Sequence, residues 1–111
     1  MSFEPREYLR HIAIESDYLI AETVAVSYEE FLQNGTLQRA FIRSLEIIGE
    51  ASKKLPESFR AEHPEVEWRQ MSGMRDRLIH GYLSVDYEIV WDVLMTRIPV
   101  LRRQVAAILG E

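Results

Sequence analysis

Apolar residues return every third or fourth position through most of this chain, and nowhere do they alternate with period two. That spacing is what an amphipathic helix needs and what a half-buried strand does not show, so the chain is expected to be all-α. The first stripe is Leu9, Ile12, Ser16, Leu19 and Thr23, with Tyr8, Ala13 and Ile20 beside it. With Pro5 as a first-turn residue, it predicts a helix from about Pro5 to about Val24. Ser27 followed by Glu30 is a capping-box pattern opening a short second helix, which Asn34-Gly35 ends as a turn. Leu37, Phe41, Leu45, Ile48, Ala51 and Leu55, joined by Ala40, Ser44 and Ser52, mark a third helix from about Thr36 to Leu55. Gly49 and Ala51 on that helix are small enough to let a neighbour approach closely, and Pro56 stops it.

The segment Glu57 to Glu67 reads as an irregular connection, with Pro64 restricting His63 before it. A helix from about Val66 to His80 follows, and Gly81 is placed to end it. Ser84 or Asp86 caps the last helix, which runs to about Leu109 with Val90, Val93, Leu94, Ile98, Leu101, Val105 and Ile108 on its apolar face. Pro99 should kink it rather than end it, because the pattern continues on both sides. Short connections favour antiparallel neighbours, hence an up-down bundle of four to five helices.

The length, 111 residues, suits a single domain spanning 1–111. The formal net charge of −5 differs from that of a strongly basic nucleic-acid binder, so any RNA contact must come from a local basic patch. The absence of cysteine excludes disulfides, thiolate metal sites and cysteine nucleophiles. His11, His63 and His80 are too scattered for a zinc motif, so neither metal nor cofactor is expected. The opening MSFEPREYLR carries charge where a secretion signal needs an apolar run. No stretch approaches the roughly 20 apolar residues of a membrane span, which makes the cytoplasm the default location.

The most chemically loaded stretch is MRDRLIHGY, Met74 to Tyr82. Arg75 supplies a permanent cation with a planar fork suited to phosphate. His80 is the one side chain here whose ordinary pKa lies near neutrality. Asp76, four residues earlier, shares a helix face with His80 and is expected to orient the imidazole and favour its charged form. The helix C-terminus acts in the same direction. A histidine so held suits general acid–base work. Arg75 and His80, however, are about 140° apart around a helix and about 7.5 Å apart along it. Either the long arginine reaches across, or a second copy of the chain completes the site. Arg77 adds another cation, and with Arg75 it makes a phosphate-sized basic spot. The plain alternative is a solvated Arg-Asp-Arg face with weak ion pairs and a histidine that merely caps a helix.

Arg75, four residues, His80, one residue, Tyr82 resembles the signature of the HEPN superfamily of helical ribonucleases. More closely, the chain resembles HepT toxins, partners of a minimal nucleotidyltransferase antitoxin (MntA). The likeness covers nearly the whole length, through SLEIIGEASKKLP (Ser44 to Pro56), HPEVEW (His63 to Trp68) and MRDRLIHGYLSVDYEIVW (Met74 to Trp91). The resemblance implies a HEPN-like homodimer with the signature segments at the interface. It also implies metal-independent cleavage of RNA, tRNA or messenger, leaving a 2′,3′-cyclic phosphate. On that basis His80 handles a proton of the ribose 2′-hydroxyl or of the leaving 5′-oxygen, and Arg75 stabilises charge on the phosphorane. Asp76 and Arg77 would support them. Tyr82 matches the tyrosine on which the antitoxin places AMP, an addition that blocks RNA by charge and bulk. Two other readings stand beside this toxin–antitoxin one. The first is a non-catalytic helical dimer that binds and supports a nucleotidyltransferase. The second is a regulatory domain that holds nucleotide phosphate on Arg75 and Arg77.

Elsewhere the residues suggest structure. His11 reads as structural or superficial and His63 as exposed. Glu46 and Glu50 read as solvated, or paired with Arg43 or Lys53. Trp68 and Trp91 read as core or interface anchors.

Overall fold

A computed structural model describes residues 4–111, apart from the side chain of Tyr82. Among these residues every regular element is helical. Helix α1 spans Pro5–Thr23 and begins on the expected proline. Its predicted stripe is the buried one: Leu9, Ile12, Ser16 and Leu19 have no exposed surface. Helix α2 spans Tyr28–Gln33, and its capping box is formed. The Glu30 N–H donates to Ser27 Oγ at 3.1 Å, and the Ser27 N–H donates to Glu30 Oε1 at 3.4 Å.

Helix α3, Gly35–Lys54, starts one residue earlier than the sequence suggests. Asn34 is a cap rather than half of a turn. Its Oδ1 accepts from the Thr36 and Leu37 N–H groups, the satisfaction of early helical donors that asparagine provides well. The segment after Pro56 is not irregular throughout: Glu57–Glu62 forms helix α4. It escapes a periodicity reading because it is one and a half turns long and buries no residue fully. Helix α5 spans Trp68–His80 and begins two residues later than expected. Val66 instead lies buried in the turn before it, where the Trp68 indole N–H donates to the His63 carbonyl at 2.9 Å.

A single 3-10 turn, Tyr82–Ser84, follows α5. Asp86, rather than Ser84, caps helix α6, Tyr87–Asp92, accepting from the Glu88 and Ile89 N–H groups. Residues Val93–Arg97 then form a wide π turn that leads into helix α7, Ile98–Leu109. The interruption expected at Pro99 takes this form: the Ile98 N–H bonds the Val93 carbonyl, and Pro99 supplies no N–H to the preceding turn.

Helix α3 is the middle of the bundle, packed by α1 on one side and α5 on the other, while α7 closes against α1. The core is apolar and continuous, with Phe31, Phe41, Leu45, Ile48, Leu94 and Ile98 among its most deeply buried members. Arg102 ties α7 to α1 through both carboxylate oxygens of Asp17 and also holds Glu111.

The α3–α5 seam is unusually close at Gly49. A Cβ there would collide with Arg75 Cβ and stand 2.7 Å from the Met71 carbonyl oxygen, closer than atoms can pack. The sequence expectation of a close neighbour is met by α5. Gly49→Ala must therefore push the two helices apart. Overpacking of this kind costs about 1–3 kcal/mol. Chemical denaturation should show a lowered midpoint for Gly49→Ala, whereas Gly73→Ala, on a glycine with open space around it, should not lower it by this route.

Candidate functional site

The seam at Gly49 decides where the signature segment sits. Because the α5 backbone lies directly on α3, Arg75 is wedged at the contact, with its side chain 24% exposed and its Nε buried without a described partner. Its Nη1 reaches outward and donates to Asp76 Oδ1 at 3.1 Å. One turn beyond Gly49, Lys53 of α3 donates from Nζ to the same oxygen at 3.4 Å. Three charged side chains from two helices thus meet on one atom. The Arg75 hydrogen bond, opposed by some desolvation and aided by Lys53, holds the Asp76 carboxyl below the ordinary carboxylate range.

This corrects one expectation. Asp76 does not orient His80: the hydrogen bonds and ion pairs of its carboxylate among the described residues go to Arg75 and Lys53. Two permanent cations outcompete an imidazole one turn away. His80 itself is exposed at the last residue of α5, and its ring forms no hydrogen bond or ion pair with a described residue. Arg77 is exposed too. Gly81 ends the helix as expected, with its N–H on the Arg77 carbonyl at 2.8 Å, but it does so at a φ of −110° rather than in the left-handed region. Space is the reason for glycine here, since a Cβ would lie 2.8 Å from that carbonyl oxygen. The Tyr82 side chain, the expected modification site, lies outside the described residues.

The structure therefore brings Arg75 and Asp76 together and leaves Arg77 and His80 on the solvent side of the same helix. It adds Lys53, to which spacing along the chain points only as a partner for Glu46 or Glu50. Neither glutamate forms an ion pair among the described residues. The signal for Lys53 is indirect: Gly49, one turn earlier, marks where a second helix approaches. Among the described residues, no group of three or more His, Cys, Asp or Glu side chains is placed to hold a metal ion. No helix is long and apolar enough to cross a membrane. His63 is half-buried rather than exposed, its ring 4.8 Å from that of Phe59 and its Nδ1 3.8 Å from a Glu65 carboxylate oxygen.

The all-helical bundle, together with the match of the chain to a family model, makes this a HEPN-type helical domain. More narrowly, the chain belongs to the HepT-like ribonuclease family, whose model, "Ribonuclease HepT-like", matches residues 13–108. It is 50% identical over 107 residues to "Putative RNase TTE0752" of Caldanaerobacter subterraneus subsp. tengcongensis, an alignment covering 96% of each chain. It is 43% identical over 97 residues to "Probable ribonuclease HepT" of Thermococcus cleftensis, covering 87% of this chain and 88% of that one. No solved structure matches it.

The charge cluster makes a direct prediction. A carboxyl with a depressed pKa lends its stabilisation above its ordinary value and loses it only as pH falls through the depressed one. Followed by NMR, the Asp76 carboxyl should titrate below the ordinary range in the wild type. Its midpoint should rise in Lys53→Met and rise further in Arg75→Gln. An unchanged midpoint in both would mean that the two cations do not hold the carboxylate in solution.

Proposed function

We propose that this protein is a metal-independent endoribonuclease and the toxin of a HepT/MntA-type toxin–antitoxin pair. The observation that carries the reading is the intact Arg75-x4-His80-x-Tyr82 segment, running from α5 into the turn after it, in a chain that belongs to the HepT-like ribonuclease family. His80, exposed at the helix end, is free to meet a ribose 2′-hydroxyl or a leaving 5′-oxygen and to take or give its proton. Arg75, part-buried and pinned by the seam, is a preorganised cation of the kind that stabilises a phosphorane. Asp76 keeps the guanidinium in place, and Arg77 adds positive charge. Attack of the 2′-oxygen on phosphorus breaks the bond to the 5′-oxygen and leaves a 2′,3′-cyclic phosphate.

Two copies form the working unit in this reading. Support comes from the surroundings of the site. Leu83, three residues past His80, is 88% exposed, and Ile89 on α6 is 56% exposed. Beside them Met74, Leu78, Val90 and Val93 line a cavity of about 210 Å³. Exposed apolar groups beside a cavity that α5 lines suit a two-fold contact that brings the α5 ends together. The antitoxin, a nucleotidyltransferase, silences the pair by placing AMP on Tyr82, which adds a negative phosphodiester beside the cations.

The test is RNA cleavage by protein made without its partner, in the presence of a chelator. The wild type should cut and leave cyclic-phosphate ends. His80→Ala should be slower by on the order of 10²–10⁴-fold, the usual worth of a general acid or base. If unmodified wild type, verified by intact mass at Tyr82, cuts no RNA in a broad pool, the chain is instead a non-catalytic dimer that binds the nucleotidyltransferase.

A further inference from the structure

We propose that Lys53 is a phosphate-binding residue of the RNA site, a second cation beside Arg75 that holds a phosphodiester neighbouring the one cut. The proposal rests on the ribonuclease reading above and extends it to a residue of a different helix.

Lys53 Nζ and Arg75 Nη1 share a single acceptor atom, Asp76 Oδ1, at 3.4 and 3.1 Å. Both cations are therefore aimed at the same small volume. The carboxylate between them carries one negative charge, so the group keeps a net positive charge on a chain whose formal balance is −5. A phosphodiester presents the same kind of acceptor, one negative charge shared by two oxygens, and arginine and lysine are its usual partners. Asp76 neutralises one of the two positive charges, and its Oδ2 accepts no hydrogen bond from a described residue, so no further side chain covers the cluster on that side.

Access and rigidity also single out Lys53. Its side chain is 55% exposed, against 24% for Arg75, so the ammonium can be reached from solvent. Its base is nevertheless fixed, because it lies one turn from Gly49, where α3 and α5 touch. Of the other cations of α3, Arg39 lies fourteen residues before Lys53, in a separate groove with Leu78 and Ile79 of α5, and Arg43 and Lys54 lie on the α1 side. Arg39 Nη1 donates to the Gly35 carbonyl at 3.1 Å. Lys54, about 100° further around the helix, lines a separate cavity with Tyr8, His11 and Arg43 on the α1 side.

A tether that merely positions Asp76 would have the same contacts, so the test must read phosphate binding itself. The probe is a labelled single-stranded RNA oligonucleotide, bound by the full-length His80→Ala protein so that it stays intact, at salt from about 50 to 200 mM. Each phosphate contact on single-stranded nucleic acid contributes roughly 0.7 to the slope of log K against log salt. Adding Lys53→Met should flatten that slope by about this amount. Lys53→Arg should restore it, and Lys54→Met should leave it unchanged. Circular dichroism melting checks that each variant folds, with Lys53→Gln read in the same way should the methionine variant not fold. An unchanged slope in Lys53→Met, or an equal loss in Lys54→Met, would overturn the proposal. The two readings fail separately. Protein with His80 intact that cuts RNA while Lys53→Met keeps its slope sinks Lys53 alone. Protein that never cuts but loses slope with Lys53 sinks the nuclease and keeps the phosphate site. Protein that binds no RNA sinks both.

Discussion

The contact of α3 with α5 at Gly49 is the constraint on which the rest depends. Any side chain at that position would collide with Arg75 and with the Met71 carbonyl. Because none is there, the two backbones close, and the residues one turn along α3 and one step along α5 come face to face. The Lys53–Asp76–Arg75 cluster is a consequence of that closure rather than its cause. Exposed ion pairs contribute about 0–1 kcal/mol, too little to bring two helices together. Burial of Met71, Met74 and Leu78 from α5 in the same core as Leu45 and Ile48 from α3 is the larger effect, since each such side chain is worth about 1.5–3 kcal/mol when fully buried. Apolar packing thus sets the geometry, and the charges ride on it.

That order of causes explains how an acidic chain can present a site for an anion. At physiological ionic strength the screening length is about 8 Å, so acidic residues elsewhere on the surface act weakly at the α5 face. What a phosphate meets is the local field of Arg75 and Lys53, moderated by one carboxylate. The carboxylate also offsets the repulsion between the two cations. Arg75 gains a fixed direction from it, and its wedged position lets it be fixed with little loss of side-chain freedom at the moment of use.

The four long helices were legible because each has a stripe to bury, and the buried residues of α1 and α3 are those that the 3.6-residue period picks out. The capping box at Ser27 was legible for a different reason, since a local hydrogen-bond pattern needs no tertiary partner. Helix α4 was not, because nothing in Glu57–Glu62 is fully buried and so nothing repeats. The π turn at Val93–Arg97 is hidden by an apolar pattern that runs straight through it, with Pro99 as the sole hint. At the site, Arg75 and His80 stand out by residue type and spacing. For Asp76 the spacing points to the wrong partner, because a pattern along one helix cannot see a lysine 23 residues earlier on another. Gly49 carries that information, but only as permission for some neighbour to approach.

One copy of the chain leaves the proposed chemistry divided. Arg75 faces the α3 seam with its head turned to Asp76, while His80 stands in solvent at the end of α5, next to a leucine that is almost wholly exposed. Water at His80 would weaken any hydrogen bond it makes to a reacting oxygen, and it would weaken the pull of Arg75 on a developing charge. A second copy seated over Leu83 and Ile89 would cover the apolar groups and exclude that water in the same step. The hydrophobic surface and the electrostatics of the site then have a single explanation. On the proposed dimer, burying the exposed apolar residues around α5 and drying the site around the phosphate would be one and the same step.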